Sequence, residues 1–424
     1  MKAMARRRGI GHLDADCFYV SAERVRDRFL VGKAVGVLGN QGACVIAKSY
    51  EMKAAGVRTG QPIWEARRLC PWGVYLKRDF RWYEVLSRRM LEVTRRWSAK
   101  VEYYSIDEFF FEVEWNDAET TVDDPATWAR EWGRRLRDAI WEEVGVPVTM
   151  GIAPSRTLAK LLSDTAKPFG VAAAFAEAEL EKVLARTAIT EVSGIAGRRA
   201  RRLAPWGVET CWDFVQLNRA TVRRLLTCRG EALWWELRGQ PVEPLQPQRP
   251  PHRAISRGGS LGAGGDDSAY LHGWLVRNLE RLIEELEFHE VRAGRLTLWL
   301  GFRDGRWGRR THVPIAPTDR FDWLLEGTAP LLEAILKAHP RGWANRMHLI
   351  AEELEPRGVV QLGLFDPPQV RARAETIADL KRRVNQRHGR FALRSGATLA
   401  LGRELYHDPA HQYDICDVRG KFCF

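Results

Sequence analysis

The stretch Val101-Glu102-Tyr103-Tyr104-Ser105-Ile106-Asp107-Glu108-Phe109-Phe110-Phe111-Glu112-Val113 sets two adjacent acids between strand-like apolar runs. Far upstream, Asp14-Ala15-Asp16 ends a second apolar run, 10–13. A carboxylate inside an apolar strand is costly unless something neutralises it. A divalent cation would do so, and hard oxygen ligands with no His or Cys beside them suit magnesium. In one continuous strand Asp107 and Glu108 would point to opposite faces. They can therefore share a metal only at a turn or a strand end. Asp14 closes its own strand, so pairing the two strands would bring Asp14, Asp107 and Glu108 together. That arrangement points to metal-assisted phosphoryl transfer on nucleotides. A plainer reading keeps Asp14 and Asp16 as caps of the next helix and Asp107 as a turn residue. Either cluster alone is open to it.

Outward from these segments, the patterning predicts a strand at 10–15, a helix from about 18 to 28, and short strands at 34–38 and 44–47. Helical stretches follow at 48–55, 62–69 and 79–98, then the strand pair around Asp107. A helix at 125–143, a strand at 146–152 and a helix at 155–165 complete the series. Strand–helix–strand–strand–helix–strand, with one insertion after the first helix, describes a ferredoxin-like α+β unit. Residues 174–242 read as short helices, and the proline-rich 240–254 reads as a stiff tether without packed structure. Beyond it, strands at 295–301 and 347–353 alternate with amphipathic helices at 270–288 and 320–338. Residues 373–424 carry no pattern that assigns them.

At 424 residues the chain suits two to four domains. Lys and Arg number 66 against 54 Asp and Glu, a net charge of +12 that fits either a polyanionic partner or a solubilising surface. The 7 cysteines show no C-x-x-C spacing, which argues against zinc or a disulfide scaffold and fits a reducing cytoplasm. Met1-Lys2-Ala3-Met4-Ala5-Arg6-Arg7-Arg8 has charge but no apolar core, so no secretory signal is expected. No apolar run is long enough for a membrane span, and no membrane partner is expected. Arg88, Arg89, Arg95 and Arg96 recur on one helix face, the pattern of a solvated surface.

Leu13-Asp14-Ala15-Asp16-Cys17-Phe18-Tyr19 and Tyr104-Ser105-Ile106-Asp107-Glu108 resemble the two palm motifs of Y-family (translesion) DNA polymerases. Gly42-Ala43-Cys44-Val45-Ile46-Ala47-Lys48, Gly56-Val57-Arg58 and Gly60-Gln61-Pro62 resemble that family's fingers. Gly151-Ile152-Ala153-Pro154-Ser155, Leu158-Ala159-Lys160 and Ala166-Lys167-Pro168 resemble the end of its palm. The blocks stand in family order over about 1–240, closest to the bacterial UmuC-like subgroup. The resemblance implies a palm at 1–24 and 79–173, small fingers at 25–78 and a helical thumb at 174–242. It further implies a linker at 243–254, an α+β little finger at 255–356 and a C-terminal tail at 357–424.

By the same resemblance Asp14, Asp107 and Glu108 hold two Mg2+ ions, with the Ala15 carbonyl completing the site. Asp16 matches an acidic position without a clear ligand role. Tyr19 falls at the steric gate, which selects deoxyribose, and Phe18 lies beside it at the nucleotide. Tyr50, Lys53 and Lys167 match positions that contact the incoming dNTP, a task suited to a phenol and two ammoniums. Phe109 replaces the small residue usual after the acidic pair. Gly194, Gly197 and Arg198 belong to a helix-hairpin-helix-like segment, 192–203, that would bind a DNA phosphate. Arg253 and Arg257 resemble backbone-contacting residues of the little finger's first strand. Gln361-Leu362-Gly363-Leu364-Phe365 resembles the peptide that docks on the bacterial sliding clamp, with Gln361, Leu362, Leu364 and Phe365 making the contact.

The implied function is template-directed DNA synthesis across lesions, at low fidelity and without proofreading, on primer-template DNA in the cytoplasm. SOS accessory proteins are further candidate partners. A catalytically silent relative serving as a repair scaffold is the alternative, and the presence of all three acids argues against it. A nucleotidyl cyclase on a similar palm would leave the hairpin, tether and docking peptide unexplained. A haloacid-dehalogenase-type phosphatase also starts with Asp-x-Asp, but Phe18 stands where its small residue belongs.

Overall fold

The computed structural model describes residues 6–39, 44–116, 124–248, 250–357, 368–389, 391–399 and 401. The chain divides into two compact units at residues 249 and 250.

In the first unit, strand β1 (Arg6–Ala15) runs into helix α1 (Phe18–Arg26). An inserted segment follows, made of β2 (Val35–Leu38), β3 (Val45–Lys48), α2 (Tyr50–Ala54), α3 (Ile63–Leu69) and β4 (Val74–Lys77). Its sheet has the order β3-β2-β4, and it closes a small core of its own around Val45, Met52 and Ala66. Helix α4 (Phe80–Trp97) begins where the Asp79 side chain accepts the Trp82 N–H, which satisfies an orphan donor of the first turn. Then come β5 (Val101–Tyr103), β6 (Glu108–Asn116), α5 (Pro125–Val144), β7 (Val148–Ala153), α6 (Arg156–Ala166) and β8 (Val171–Ala173).

The main sheet has the order β5-β6-β1-β7-β8, with β1 antiparallel to both β6 and β7. Its first four strands in this order have the ferredoxin-like topology, as expected, and β8 adds a fifth, parallel to β7. A strand of three residues is too short to show alternation, which is why patterning did not reveal it. Helices α4 and α5 cover one face. There Phe111 and Trp115 of β6 meet Trp132 and Trp128 of α5, at ring-centroid distances of 5.8 and 5.3 Å. These tryptophans are core anchors. Helix α6 covers the other face at close range. A Cβ on Gly151 of β7 would lie 2.0 Å from the Ala159 carbonyl oxygen and 2.5 Å from the Ser163 nitrogen. Both are backbone atoms, so only glycine lets the helix sit there.

Helices α7 (Glu177–Arg186), α8 (Gly197–Leu203), α9 (Cys211–Gln216) and α10 (Arg219–Leu237) end the first unit. α10 is longer than the patterning suggests and breaks at Thr227, where φ is 66°. The tether after it differs from expectation. The N–H groups of Val242 and Glu243 donate to Oε1 of buried Glu236 at 2.8 and 3.0 Å. Gln246 N–H donates to Oε2 of buried Glu102 at 2.8 Å, and Arg156 donates to the Pro244 carbonyl at 3.0 Å. Prolines leave the tether few N–H donors, and buried carboxylates hold those of Val242, Glu243 and Gln246.

The second unit contains β9 (Ala254–Gly265), α11 (Ser268–Phe288), β10 (Val291–Phe302), β11 (Trp307–His312), α12 (Phe321–Ala338) and β12 (Ala344–Pro356). The antiparallel sheet has the order β11-β10-β12-β9. Leu271, Leu275, Leu279, Leu282 and Leu286 recur at helical spacing along α11 and bury against Leu296, Leu298 and Leu300 of β10. Helix α13 (Pro368–His388) was not legible in the sequence. It is held to α11 by Lys381 on Glu280 (2.5 Å) and Arg382 on Glu287 (2.9 Å). Among the described residues no helix is long and apolar enough to cross a membrane.

Candidate active site

The acidic pair is split by a turn. Tyr104 and Ser105 donate their N–H groups to the Glu108 carbonyl at 3.1 and 2.9 Å, so Asp107 lies in the turn and Glu108 opens β6. This resolves the alternation problem posed by adjacent acids. Asp14 is directly opposite Glu108 on the β1–β6 ladder, and the Ala15 N–H donates to the Asp107 carbonyl at 2.9 Å. Ser105 Oγ donates to Asp107 Oδ1 at 2.6 Å and orients the carboxylate. Phe109, next on β6, is fully buried on the other side of the sheet, 5.4 Å from the Tyr103 ring.

Like charges directly opposite each other destabilise a ladder. Two lysines answer this. Lys167 Nζ lies 2.9 Å from Asp14 Oδ2, and Lys160 Nζ of α6 lies 2.7 Å from Glu108 Oε1. Burial alone would lower both lysines, yet Asp14 and Glu108 respectively hold their ammoniums above the ordinary value. Asp14 is 7% exposed, and its carboxyl is pushed up to about 7. Burial is the main cause; Glu108 and Asp107 add to it, and Lys167 opposes them without prevailing. Both partners therefore stand above their ordinary values, because at Asp14 desolvation and the neighbouring acids outweigh the single ammonium.

A crowded, all-oxygen acidic set suits a hard divalent cation. Among the described residues no three His, Cys, Asp or Glu side chains stand close enough, as placed, to hold a metal ion. The Asp14 and Glu108 oxygens are turned toward the two lysines. The backbone brings the acids to one sheet end; their side chains would have to exchange ammonium for metal.

Asp16 is occupied elsewhere: it accepts hydrogen bonds from Thr149, Tyr50 and the Phe169 N–H. Tyr19 is half-buried on α1 and stacks on Tyr83 with centroids 4.7 Å apart and planes at 18°. Phe18 is only 3% exposed and packs against Tyr83, so its ring belongs to the core. Tyr50 and Lys53 are exposed on α2. Sequence reasoning gave no role to Lys160, Thr149 or Tyr83. Lys160 was findable in principle, as a lysine on the inner side of an amphipathic helix.

The remaining expected contacts divide. Gly194 has φ +99°, a left-handed conformation that favours glycine, and Arg199 closes the hairpin by donating to its carbonyl at 2.8 Å. Gly197 has open space where a Cβ would be, and Arg198 is exposed beside it. Arg253 is exposed, whereas Arg257 is half-buried and its guanidinium bonds Glu285 of α11. That ion pair turns the Arg257 guanidinium toward α11. Arg88 and Arg96 pair with Glu84 and Glu143 on a solvated face, as expected. Gln361, Leu362, Leu364 and Phe365 lie outside the described residues.

Residues 13–164 match the impB/mucB/samB family, and residues 252–364 match its C-terminal domain. DNA polymerase IV 1 of Bacillus subtilis (strain 168) is 27% identical over 397 residues, covering 92% of this chain and 93% of that one. DNA polymerase IV of Halorhodospira halophila (strain DSM 244 / SL1) is 30% identical over 299 residues, covering 70% and 82%. Protein ImpB of Salmonella typhimurium is 27% identical over 387 residues, covering 88% and 89%. Among solved structures, the Y-family DNA polymerase chimera Dbh-Dpo4(243-245)-Dbh has a TM-score of 0.70 at 21% identity, covering 82% of this chain and 99% of that one. An insertion ternary complex of Dbh DNA polymerase has a TM-score of 0.53 at 22% identity, with coverage of 82% and 99%. At those identities the structural likeness speaks for the fold. The sequence matches, spanning both units, show that the chain belongs to the impB/mucB/samB family of Y-family DNA polymerases.

Proposed function

We propose that this chain extends a DNA primer across damaged template bases by magnesium-dependent nucleotidyl transfer from dNTP. The observation that carries the reading is the convergence at one sheet end of Asp14, opposite Glu108, with Asp107, whose carbonyl is bonded to Ala15. Two Mg2+ ions, held by Asp14, Asp107, Glu108 and the Ala15 carbonyl, would supply the charge that activates the primer hydroxyl and steadies the pyrophosphate.

The chain's own groups do the rest. Lys167, Tyr50 and Lys53 meet the triphosphate with charge-assisted hydrogen bonds. Tyr19 sits flat beneath the sugar and refuses a ribose 2′-hydroxyl. Lys160 keeps Glu108 placed while the nucleotide is away. The primer oxygen then bonds the α-phosphorus, and pyrophosphate leaves along the opposite direction. Gly194, Gly197 and Arg198 take a backbone phosphate without reading sequence, and Arg253 takes another. A Dbh polymerase solved as an insertion ternary complex supports primer-template DNA and dNTP as the ligands. The short inserted segment between β2 and β4 supports a roomy site that checks base-pair shape poorly.

The test is primer extension by the whole chain on intact and abasic templates. Extension on both is expected, with chelation abolishing it and added Mg2+ restoring it. Synthesis that persists under chelation would reject the metal site, and arrest at every abasic position would reject lesion bypass. The 361–365 peptide is the proposed clamp contact. Alanines at Leu364 and Phe365 should abolish capture on immobilised sliding clamp while leaving clamp-free extension intact. Undiminished capture would reject the peptide's role.

A further inference from the structure

We propose that Asp16 is the positioning residue that sets Lys167 and Tyr50 for the incoming triphosphate, and that it does not ligate metal. The inference rests on the reading above, that Lys167 and Tyr50 meet the triphosphate.

Asp16 lies two residues beyond Asp14 but is turned to a different task. It is 3% exposed. Its Oδ1 accepts from Thr149 Oγ1 at 3.0 Å and from Tyr50 at 3.3 Å. Its Oδ2 accepts from Thr149 at 2.9 Å and from the Phe169 N–H at 2.8 Å. A carboxylate has about four lone-pair sites, and protein donors claim most of them from both sides. The main chain is fixed as well: the Asp16 N–H donates to the Pro147 carbonyl at 2.9 Å, and its carbonyl accepts from Ser21 Oγ at 2.5 Å.

The Phe169 contact reaches Lys167. Phe169 has φ 51°, an uncommon conformation for a bulky residue that neighbours must hold. Asp16 grips its N–H, while Arg137 donates to its carbonyl at 2.9 Å and lies over its ring at 4.4 Å. Two residues back along the same turn, Lys167 projects to Asp14. Asp14 and Asp164 bond that ammonium directly, while the backbone that carries it is held by a carboxylate it does not itself bond.

The Tyr50 contact reaches the inserted segment. A phenol has one proton, so Tyr50 can serve Asp16 or a phosphate oxygen, not both. At 3.3 Å the bond to Asp16 is the longest of the set. It parks the phenol beside the place it must occupy and yields when a phosphate arrives.

The experiment measures kcat and KM for a single correct dNTP in primer extension, with primer-template affinity and the Mg2+ requirement measured alongside. Asp16→Ala is expected to raise KM about 10–100-fold, the worth of a lost hydrogen bond to a charged group. It should leave kcat within a few-fold and the Mg2+ requirement unchanged. Asp16→Asn keeps the shape and one acceptor oxygen and should recover most of the loss. Asp16→Ala combined with Lys167→Ala should be worse than Lys167→Ala alone only by the Tyr50 share, well short of additive. A fall in kcat with a shifted Mg2+ requirement would make Asp16 a metal ligand and overturn the inference, as would fully additive effects with Lys167→Ala. If Lys167→Ala and Tyr50→Phe raise KM while Asp16→Ala does not, the inference alone falls. If neither raises it, the triphosphate reading falls and takes the inference with it. Should Asp16→Ala fail to fold, Thr149→Val removes one support and keeps the charge; a KM rise of a few-fold at constant kcat supports the proposal, and an unchanged KM overturns it.

Discussion

Alanine in place of Asp107 is expected to cut primer extension about 10²–10³-fold, the cost of removing one preorganised electrostatic partner from a reacting centre. That corresponds to roughly 3–4 kcal/mol of lost transition-state stabilisation. The turn that carries Asp107 is built from main-chain bonds: Tyr104 and Ser105 to the Glu108 carbonyl, and Ala15 to the Asp107 carbonyl. None of these needs the Asp107 side chain. The substitution should therefore leave the thermal unfolding midpoint nearly unchanged while the chemistry fails. Asp107→Asn keeps the Ser105 contact in shape but not the charge, and it should fall almost as far. Near-normal extension by either variant, measured under single-turnover conditions, would remove Asp107 from the metal set.

Opening the gate is the second large effect. Tyr19→Ala should lower the preference for dNTP over the matching rNTP by about 10²-fold, the scale on which a pocket can refuse one added hydroxyl. The packing behind the ring would let it refuse rather than yield. Tyr19 stacks on Tyr83, which is 0% exposed and donates its hydroxyl to Glu23 Oε1 at 2.6 Å. Phe80 closes the edge at 5.7 Å. A ring backed this way cannot swing aside without disturbing the core. Tyr83→Leu, which removes the flat support, should lower sugar discrimination in the same direction but less. Competition between dNTP and rNTP on one template measures both, and an unaltered ratio for Tyr19→Ala would reject the gate.

Much of this was legible in the residues, for identifiable reasons. β1, α1, α4 to α6 and the hairpin at Asp107 carry strong periodicity or caps, so the ferredoxin-like order could be read from pattern. The acids could be found because charge in an apolar run demands a cause. What escaped depended on tertiary partners. Lys160 gains its meaning only from where the sheet ends, beside Glu108. Arg257 looked like a surface cation because nothing local announces Glu285, 28 residues on. The tether looked unstructured because its ligands, Glu102 and Glu236, belong to other elements. Helix α13 lacks a clear apolar stripe and is held by ion pairs to α11, which no periodicity can show. Phe18 shows the converse. A motif placed it beside the nucleotide, and nothing local announced that its ring packs against Tyr83.

The antiparallel ladder between β1 and β6 makes the chain's tolerance to change lopsided. Successive side chains alternate between the lysine side and the phenylalanine side of the sheet, with Asp14 facing Glu108 and Leu13 facing Phe109. Slip a single extra residue between Leu13 and Asp14, leaving everything before it paired as it was, and the acid would be delivered among the aromatics of the opposite side. Identity along this strand can drift over generations so long as size and polarity roughly hold. Length cannot, because the smallest possible change in spacing is already a complete reversal.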